Sequence, residues 1–279
     1  MKPDIDAIID EVVTEVLNRV TRQGTICPDC DWCLSCPECR TQIVEEILAN
    51  GANRIAAGCN LGPVRSDLAK TIDHTLLKPD ATGEQIIELC REAREFGFAS
   101  VCVNPCWIRT CRDELRQTQI LICTVVGFPL GATTTETKAF ETGKAVEDGA
   151  DEIDMVINIG RLKAKDHDYV KKDIQAVVEA AGRQAQVKVI LENCYLDDEE
   201  KIHGCLLSQL AGAHFVKTST GFGKHGATLH DVALMRKVVG EKLGVKAAGG
   251  IRNYESAVEM IDAGASRIGA SASIAMVRG

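Results

Sequence analysis

Aromatic side chains are scarce in this sequence, because Phe, Tyr and Trp together make up only 4% of its 279 residues. A hydrophobic core must therefore consist mainly of Val, Ile, Leu and Ala, and such aliphatic cores are typical of layered α/β proteins. The sequence is still 45% hydrophobic and 26% charged, which is the balance of a globular chain rather than a disordered one. A chain of this size buries roughly three quarters of its unfolded surface when it folds.

Positive charge is also in deficit: 32 Lys and Arg residues face 40 Asp and Glu residues, which gives a formal net charge of −8. This balance excludes a general attraction to nucleic acid or to anionic membranes, so local groups must hold any phosphate ligand. The longest apolar stretch, residues 120–132, is too short to span a bilayer and contains Gly127 and Pro129. The first residues lack the basic region and apolar core of a secretory signal, so we expect a cytoplasmic protein.

Thirteen cysteines form an odd number in a long chain without a signal, which indicates reduced thiols rather than disulfides. Several lie in apolar runs such as Val101-Cys102-Val103 and are predicted to be core residues. Five others follow a strict three-residue spacing: Cys27, Cys30, Cys33, Cys36 and Cys39. Such a repeat supplies enough thiolates for zinc or an iron–sulfur cluster, and it is equally typical of a reduced, thiol-rich linker.

The chain divides near residue 65. Residues 4–20 place apolar side chains on one helical face, and residues 58–63 are typical of a linker. We expect residues 1–65 to form an N-terminal segment and residues 66–279 a separate domain. The helix predicted at residues 4–20 either packs on that domain or in a dimer, or it acts as a targeting peptide. Its acidic polar face argues against a helix that binds a membrane surface.

From residue 68 onward, short apolar runs alternate with longer amphipathic stretches, as expected of strands joined by helices. Eight strand candidates lie at residues 68–72, 99–103, 120–127, 152–158, 187–192, 214–218, 245–248 and 267–270. Parallel strands need helical crossovers, so eight strand–helix units favour an α/β fold, a (β/α)8 TIM barrel. A doubly wound open sheet is the competing architecture. Glycines that close several helical stretches, such as Gly97 and Gly149, fit both folds.

In a barrel, working residues lie at the carboxyl ends of the strands. Asp154, Lys217 and Lys246 each place a charge inside an apolar run near such an end. Desolvation and a second nearby cation both favour the neutral form of a lysine, and a neutral amine attacks a carbonyl to form an imine. A single buried lysine is more simply explained by a salt bridge. Two lysines on neighbouring strands together with a carboxylate favour an imine-forming site instead. Asp154 can move protons there, pair with a lysine, or do both.

A phosphate site is predicted at the ends of the last three strands, where bare backbone amides and a hydroxyl are available. The candidate residues are Gly221, Gly249, Gly250, Gly269 and Ser271. A single glycine after a strand is more often a turn residue, but three consecutive instances at this location favour a ligand site.

Four segments carry a specific resemblance: residues 72–77, 152–160, 217–221 and 246–252. They resemble the signature segments of the deoxyribose-phosphate aldolases, which are class I aldolases with a TIM barrel, and the similarity runs from about residue 66 to the C-terminus. The resemblance implies reversible cleavage of 2-deoxy-D-ribose 5-phosphate to acetaldehyde and glyceraldehyde 3-phosphate, with no cofactor and no catalytic metal.

By the same resemblance, Lys217 matches the Schiff-base lysine, Lys246 the lysine that perturbs it, and Asp154 the proton-transfer carboxylate. Asp73 matches a polar residue at the mouth of the first strand. Cys102 lies where the family often has a cysteine near the pocket, although its position as a small hydrophobic residue on a strand explains it more simply. One departure concerns the phosphate turn, where the usual second serine is replaced in Gly269-Ala270-Ser271-Ala272.

Two alternatives remain at this point: another imine-forming sugar-phosphate aldolase, and a catalytically idle barrel retained for assembly. The expected partners are a small sugar phosphate and other copies of the chain, most simply in a dimer, with no nucleic acid and no membrane. The N-terminal helix resembles peptides that direct enzymes into bacterial microcompartments, which would make residues 1–24 a contact for a microcompartment shell.

Overall fold

The computed structural model describes residues 68–278. The predicted amphipathic helix, the five-cysteine repeat and the linker lie outside these residues. The described part contains eight strands: β1 (Ile72–Leu76), β2 (Ser100–Val103), β3 (Leu121–Val126), β4 (Glu152–Val156), β5 (Gln186–Ile190), β6 (Phe215–Lys217), β7 (Gly244–Ala248) and β8 (Arg267–Ala270). Each strand pairs in parallel with the next, and β8 pairs with β1, so the sheet closes into a barrel. The TIM-barrel prediction is confirmed, and closure excludes the open sheet.

Helices fill the connections between the strands: α1 (Gly83–Phe96), α2 (Ile108–Leu115), α3 (Thr135–Asp148), α4 (Ile159–Lys163), α5 (His167–Ala181), α6 (Asp198–Leu210), α7 (Leu229–Val239), α8 (Tyr254–Asp262) and α9 (Ser273–Arg278). The start of α1 is fixed by a capping box: the Thr82 hydroxyl accepts from the Gln85 N–H, and the Gln85 side chain accepts from the Thr82 N–H. Gly97 and Gly149 end α1 and α3 in the left-handed conformation, as predicted. Sequence periodicity missed α2, α4 and α9, which have only five to eight residues each.

The first strand was predicted at residues 68–72 but lies at Ile72–Leu76. The prediction was wrong because Asp73 and His74 interrupt the apolar run, although both side chains are buried. Each has a partner that makes its burial tolerable. His74 Nε2 lies 2.7 Å from a carboxylate oxygen of Glu92 on α1, and Asp73 faces cations inside the barrel.

Aliphatic side chains fill the layer between the strands and the helices, as the low aromatic content predicts. Val101, Ile122, Ile153 and Val216 are fully buried there. Among the described residues, Phe98 is the one Phe, Tyr or Trp in the buried hydrophobic set. No helix between residues 68 and 278 is long and apolar enough to cross a membrane.

Candidate active site

Six of the eight strands bring charged side chains into the interior of the barrel. Seven charged side chains contact one another there: Asp73 on β1, Glu152 and Asp154 on β4, Lys188 on β5, Lys217 on β6, Lys246 on β7 and Arg267 on β8. Six of them are buried and Arg267 is nearly so. The carboxylates come from the first four strands and the cations from the last four. We call this set the barrel charge cluster.

Asp154 joins the two predicted lysines. Lys217 and Lys246 are paired neighbours in the register of β6 and β7, so their side chains emerge side by side. Both Nζ atoms lie 2.7 Å from the same carboxylate oxygen, Oδ2 of Asp154. The three residues singled out from the sequence therefore meet at one point in the barrel.

The other oxygen of Asp154 has its own partners. The Cys123 thiol donates to Oδ1 at 3.1 Å, and Lys188 Nζ lies 3.1 Å from the same atom. These contacts fix the carboxylate so that Oδ2 faces Lys217 and Lys246. Burial opposes ionisation of Asp154, but Lys188, Lys217 and Lys246 outweigh it and hold the pKa of Asp154 well below its usual range.

Lys246 is held in its charged form by the same logic. Burial disfavours the ammonium group, but Asp154 and Asp73 together raise the pKa of Lys246 above its usual value. Its Nζ lies 2.5 Å from Oδ2 of Asp73 and 2.7 Å from Oδ2 of Asp154. Lys246 is therefore a fixed positive charge beside Lys217 at neutral pH.

The charge balance of the cluster singles out one lysine. Four cationic side chains meet three carboxylates, so full protonation leaves one uncompensated positive charge in a buried site. Lys188 contacts three carboxylates and Lys246 contacts two, whereas Lys217 contacts only Asp154. Lys217 is therefore the lysine of the cluster with the fewest carboxylate partners.

Asp73 lies deeper than predicted. It is the second residue of β1 and is fully buried, where Arg267 donates to Oδ1 at 2.6 Å. Ion pairs with Arg267 and Lys246 hold Asp73 inside the barrel rather than at the end of the strand, and its part in substrate binding stays a prediction. Asp73 thereby acts on the site through its ion pair with Lys246.

Gly269 also differs from its prediction. It does not follow the eighth strand but lies within β8, paired with Ala248 and Asp73. A Cβ atom at this position would lie 2.9 Å from Cε of Lys246. The glycine therefore makes room for the lysine side chain, which the sequence pattern could not show.

The remaining phosphate candidates lie beyond the strand ends. Gly221 and Gly249 approach each other, since a Cβ on Gly249 would lie 3.8 Å from Cα of Gly221. A Cβ on Gly221 or on Gly250 would meet nothing within 4 Å, so both positions face open space. Ser271 is exposed directly after β8. Phosphate binding by these residues stays a prediction.

The connections at the barrel mouth contact one another. Thr220 Oγ1 donates to buried Glu192, and its backbone N–H lies 3.3 Å from both carboxylate oxygens, which ties the connection after β6 to the end of β5. Phe128 and Phe222 meet edge to face with their ring centres 5.4 Å apart, which joins the connections after β3 and β6. A groove of about 690 Å³ lies along α3; Phe128 lines it, but none of the predicted site residues does.

Sequence reasoning missed four interior residues: Glu152, Lys188, Arg267 and Cys123. A usable signal existed for Lys188, because it stands alone between Val187 and Val189 in a strand with otherwise buried neighbours. A charge at such a position must be paired inside the protein.

Fold and site together define the class of protein: an enzyme built on a (β/α)8 barrel, with a buried cluster of lysines and carboxylates among its strands. A family model described as DeoC/LacD family aldolase matches residues 67–277. The chain belongs to this family and is an aldolase.

The names of individual relatives agree with this family assignment. The chain is similar to a deoxyribose-phosphate aldolase of Clostridium kluyveri, with 60% identity over 213 residues that cover 76% of this chain and 98% of that protein. It is also similar to the deoxyribose-phosphate aldolase of Caldanaerobacter subterraneus, with 62% identity covering 76% of this chain and 92% of that protein. A solved tetrameric deoxyribose phosphate aldolase from Aeropyrum pernix superimposes with a TM-score of 0.73 and 33% identity, covering 84% of this chain and 96% of that chain.

Proposed function

We propose that this aldolase reversibly cleaves 2-deoxy-D-ribose 5-phosphate to acetaldehyde and D-glyceraldehyde 3-phosphate through an imine on Lys217. One observation carries the proposal: Lys217 and the charged Lys246 share a single carboxylate oxygen of Asp154. The names of the relatives support the choice of substrate. The intact arrangement of all three residues also speaks against a catalytically idle barrel.

Imine formation needs a neutral amine and a proton donor close together. Nζ of Lys217 attacks C1 of the open-chain sugar, and the C1 oxygen takes up a proton to form a carbinolamine. Loss of that oxygen as water gives the protonated imine. Asp154 relays these protons, because its Oδ2 atom lies 2.7 Å from Nζ of Lys217, and the charged Lys246 stabilises the same carboxylate oxygen.

The protonated imine then accepts the electrons of the bond that breaks. A base removes the proton of the C3 hydroxyl, the C2–C3 bond breaks, and C3 leaves as the aldehyde carbon of glyceraldehyde 3-phosphate. The electron pair of the broken bond forms an enamine with the nitrogen of Lys217. Protonation of C2 and hydrolysis release acetaldehyde and restore the amine. Asp154 is suited to the proton steps because it stays ionised in the free enzyme.

The phosphate group would occupy the mouth of the barrel beyond β6, β7 and β8. Gly221, Gly249 and Gly250 offer backbone close to open space there, and Ser271 adds an exposed hydroxyl. Backbone N–H groups bind phosphate without a surplus of positive side chains, which suits a chain of net charge −8.

The proposal extends to organisation. We place the catalytic domain at residues 66–279 and an N-terminal segment at residues 1–65, with residues 1–24 as a contact for a microcompartment shell in a cytoplasmic setting. The tetrameric relative supports a homo-oligomer, of which a dimer is the simplest form.

Trapping tests the central step. Borohydride reduction in the presence of 2-deoxy-D-ribose 5-phosphate should attach the two-carbon fragment or the sugar to Lys217, as shown by peptide mass mapping. Lys217→Met should abolish both the adduct and turnover at every pH, since no proton equilibrium replaces a missing nucleophile. An adduct on Lys246 or Lys188, or turnover that depends on an added metal and survives in Lys217→Met, would refute the assignment.

A further inference from the structure

The strands of the barrel carry two thiols, Cys102 and Cys123, that take no direct part in the proposed reaction. We infer that Cys102 and Cys123 form a modification site for hydroperoxides, in which oxidation links the two sulfurs as a disulfide and reversibly stops turnover. The formation of the bond is independent of the proposed function, whereas its effect on turnover rests on the role proposed for Asp154.

Strand register places the two cysteines together. Cys102 on β2 and Cys123 on β3 are direct partners in the parallel ladder, and both are fully buried. Neighbouring strands lie about 4.8 Å apart, and disulfides join Cα atoms about 4.4–6.8 Å apart. The sulfur atoms already lie within 4.8 Å of each other and of a carboxylate oxygen of Asp154. A small rotation of the side chains is therefore enough to bring the sulfurs into bonding distance.

The surroundings of the pair favour a small, uncharged oxidant. The thiols lie in an apolar cluster with Leu77 and Val125, and Phe128 packs against this cluster from the mouth of the barrel. A divalent metal ion at the same place would face Lys188 and Lys246, whose ammonium groups border Asp154. A neutral hydroperoxide meets no such repulsion.

The two thiols differ in reactivity. The neighbouring Cys123 side chain and the ammonium group of Lys246 both lower the pKa of Cys102, against the effect of burial. Burial raises the pKa of Cys123, and the neighbouring Asp154 carboxylate raises it further. Cys102 is therefore the attacking thiolate, and Cys123 is the thiol that resolves the intermediate.

The oxidation balances with one hydroperoxide. The Cys102 thiolate attacks one peroxide oxygen, the O–O bond breaks, and the leaving oxygen takes up a proton to give water when the oxidant is hydrogen peroxide. The resulting sulfenic acid is attacked by the sulfur of Cys123, and its hydroxyl leaves with the Cys123 proton as a second water. Two thiols are oxidised to one disulfide and both peroxide oxygens are reduced.

The bond would act on catalysis through Asp154. In the reduced protein the Cys123 thiol donates to Oδ1 of Asp154 at 3.1 Å. The disulfide has no proton to donate, so this oxygen keeps only Lys188 as a close partner, and Oδ2 loses its fixed orientation toward Lys217. Loss of one hydrogen bond to a buried charge should lower turnover by about tenfold.

The test treats the full-length enzyme with hydrogen peroxide, blocks free thiols by alkylation, and maps cysteine pairs in the digest while turnover is measured on the same samples. We expect a peptide pair joining Cys102 to Cys123, a tenfold fall in turnover, and recovery of both with a dithiol reductant. Cys102→Ser and Cys102→Ala, each compared with its own untreated rate, should lose the peroxide response.

A matched control uses the second buried pair, Cys90 on α1 and Cys111 on α2, which interact outside the barrel. The double variant Cys90→Ser, Cys111→Ser should keep both the Cys102–Cys123 bond and the peroxide response. The inference is overturned if Cys102 and Cys123 are still free thiols at a peroxide dose that inactivates the enzyme. It is also overturned if every molecule carries the Cys102–Cys123 disulfide and turnover is unchanged. If the enzyme proves inactive on the proposed substrate, the peptide map alone still decides whether the bond forms.

Discussion

Replacement of Lys246 by leucine should shift the pH dependence of turnover, because it removes one fixed charge beside the nucleophile. The barrel charge cluster would then hold three cations and three carboxylates, and the repulsion between the two neighbouring ammonium groups would be absent. The acidic limb of the pH profile should move to higher pH, and turnover near neutrality should fall.

The size of the shift follows from the geometry. Both Nζ atoms lie 2.7 Å from one oxygen of Asp154, so they are at most about 5.4 Å apart. Two unit charges at that distance repel each other by about 3 kcal/mol at an effective dielectric constant of about 20. Since 5.4 Å is the greatest possible separation and one pH unit corresponds to about 1.4 kcal/mol, the acidic limb should move upward by at least about two pH units.

The assay is kcat/KM for aldehyde release from 2-deoxy-D-ribose 5-phosphate, measured across the pH range for wild type, Lys246→Leu and Lys246→Arg. The arginine variant keeps the charge and should hold the acidic limb near its wild-type position, although it donates protons poorly. Thermal unfolding of each variant shows whether the barrel remains folded. An acidic limb that does not move in Lys246→Leu, in a folded protein of lowered activity, would refute the electrostatic role and leave Lys246 as a proton donor or substrate ligand.

Three further results are expected. Lys188, Lys246 and Arg267 outweigh the effect of burial and lower the pKa of Asp73 far below its usual range. The contribution of Asp73 to the free energy of unfolding is therefore complete above about pH 5 and is lost progressively as the pH falls below about 4. The urea midpoint should decline with pH below that value, and less steeply in Asp73→Asn than in the wild type. Gly269→Ala should lower both thermal stability and kcat, because the added methyl group displaces Lys246. Gly143→Ala, at an open position in α3, should leave the free energy of unfolding unchanged or raise it by about 0.5–1 kcal/mol. Equal effects of the two substitutions would contradict the packing argument. Deletion of residues 1–65 should leave kcat and KM nearly unchanged while altering assembly or location, and a truncated protein that cannot fold would show that this segment belongs to the core.

Much of the fold could be predicted from the sequence, because strands covered by helices consist of aliphatic residues and are separated by regular helical stretches. The bounds of β8 agree with the prediction, and β2, β4 and β7 differ from it by no more than two residues at either end. The position of β1 could not be predicted, since its alternation places Asp73 and His74 in buried positions that a single sequence presents as polar.

The candidate site was only partly predictable for the same reason. Lys217, Lys246 and Asp154 stood out because each interrupts an apolar run near a strand end, and the structure brings them together. Arg267 and Glu152 stand at the first positions of β8 and β4, where a charged residue usually faces solvent, so nothing in the sequence indicated that they pair with each other at 3.1 Å. The role of Gly269 depends on the path of the Lys246 side chain, which is a property of the folded barrel alone.

The separation of charge between the two halves of the barrel has a consequence for its assembly. Strands β1 to β4 bring only carboxylates to the barrel charge cluster and β5 to β8 bring only cations, so each half alone would expose like charges on the surface that it must bury. Opposite charges meet at both seams between the halves: Asp154 is the register partner of Lys188 where β4 joins β5, and Arg267 pairs with Asp73 where β8 joins β1. Two copies of the same half would bring like charges together inside one barrel and repel each other, whereas the two different halves attract each other. The cluster therefore favours the pairing of unlike halves: if the chain is cut between α5 and β5, a barrel made from one fragment of each kind should form in preference to one made from two identical fragments.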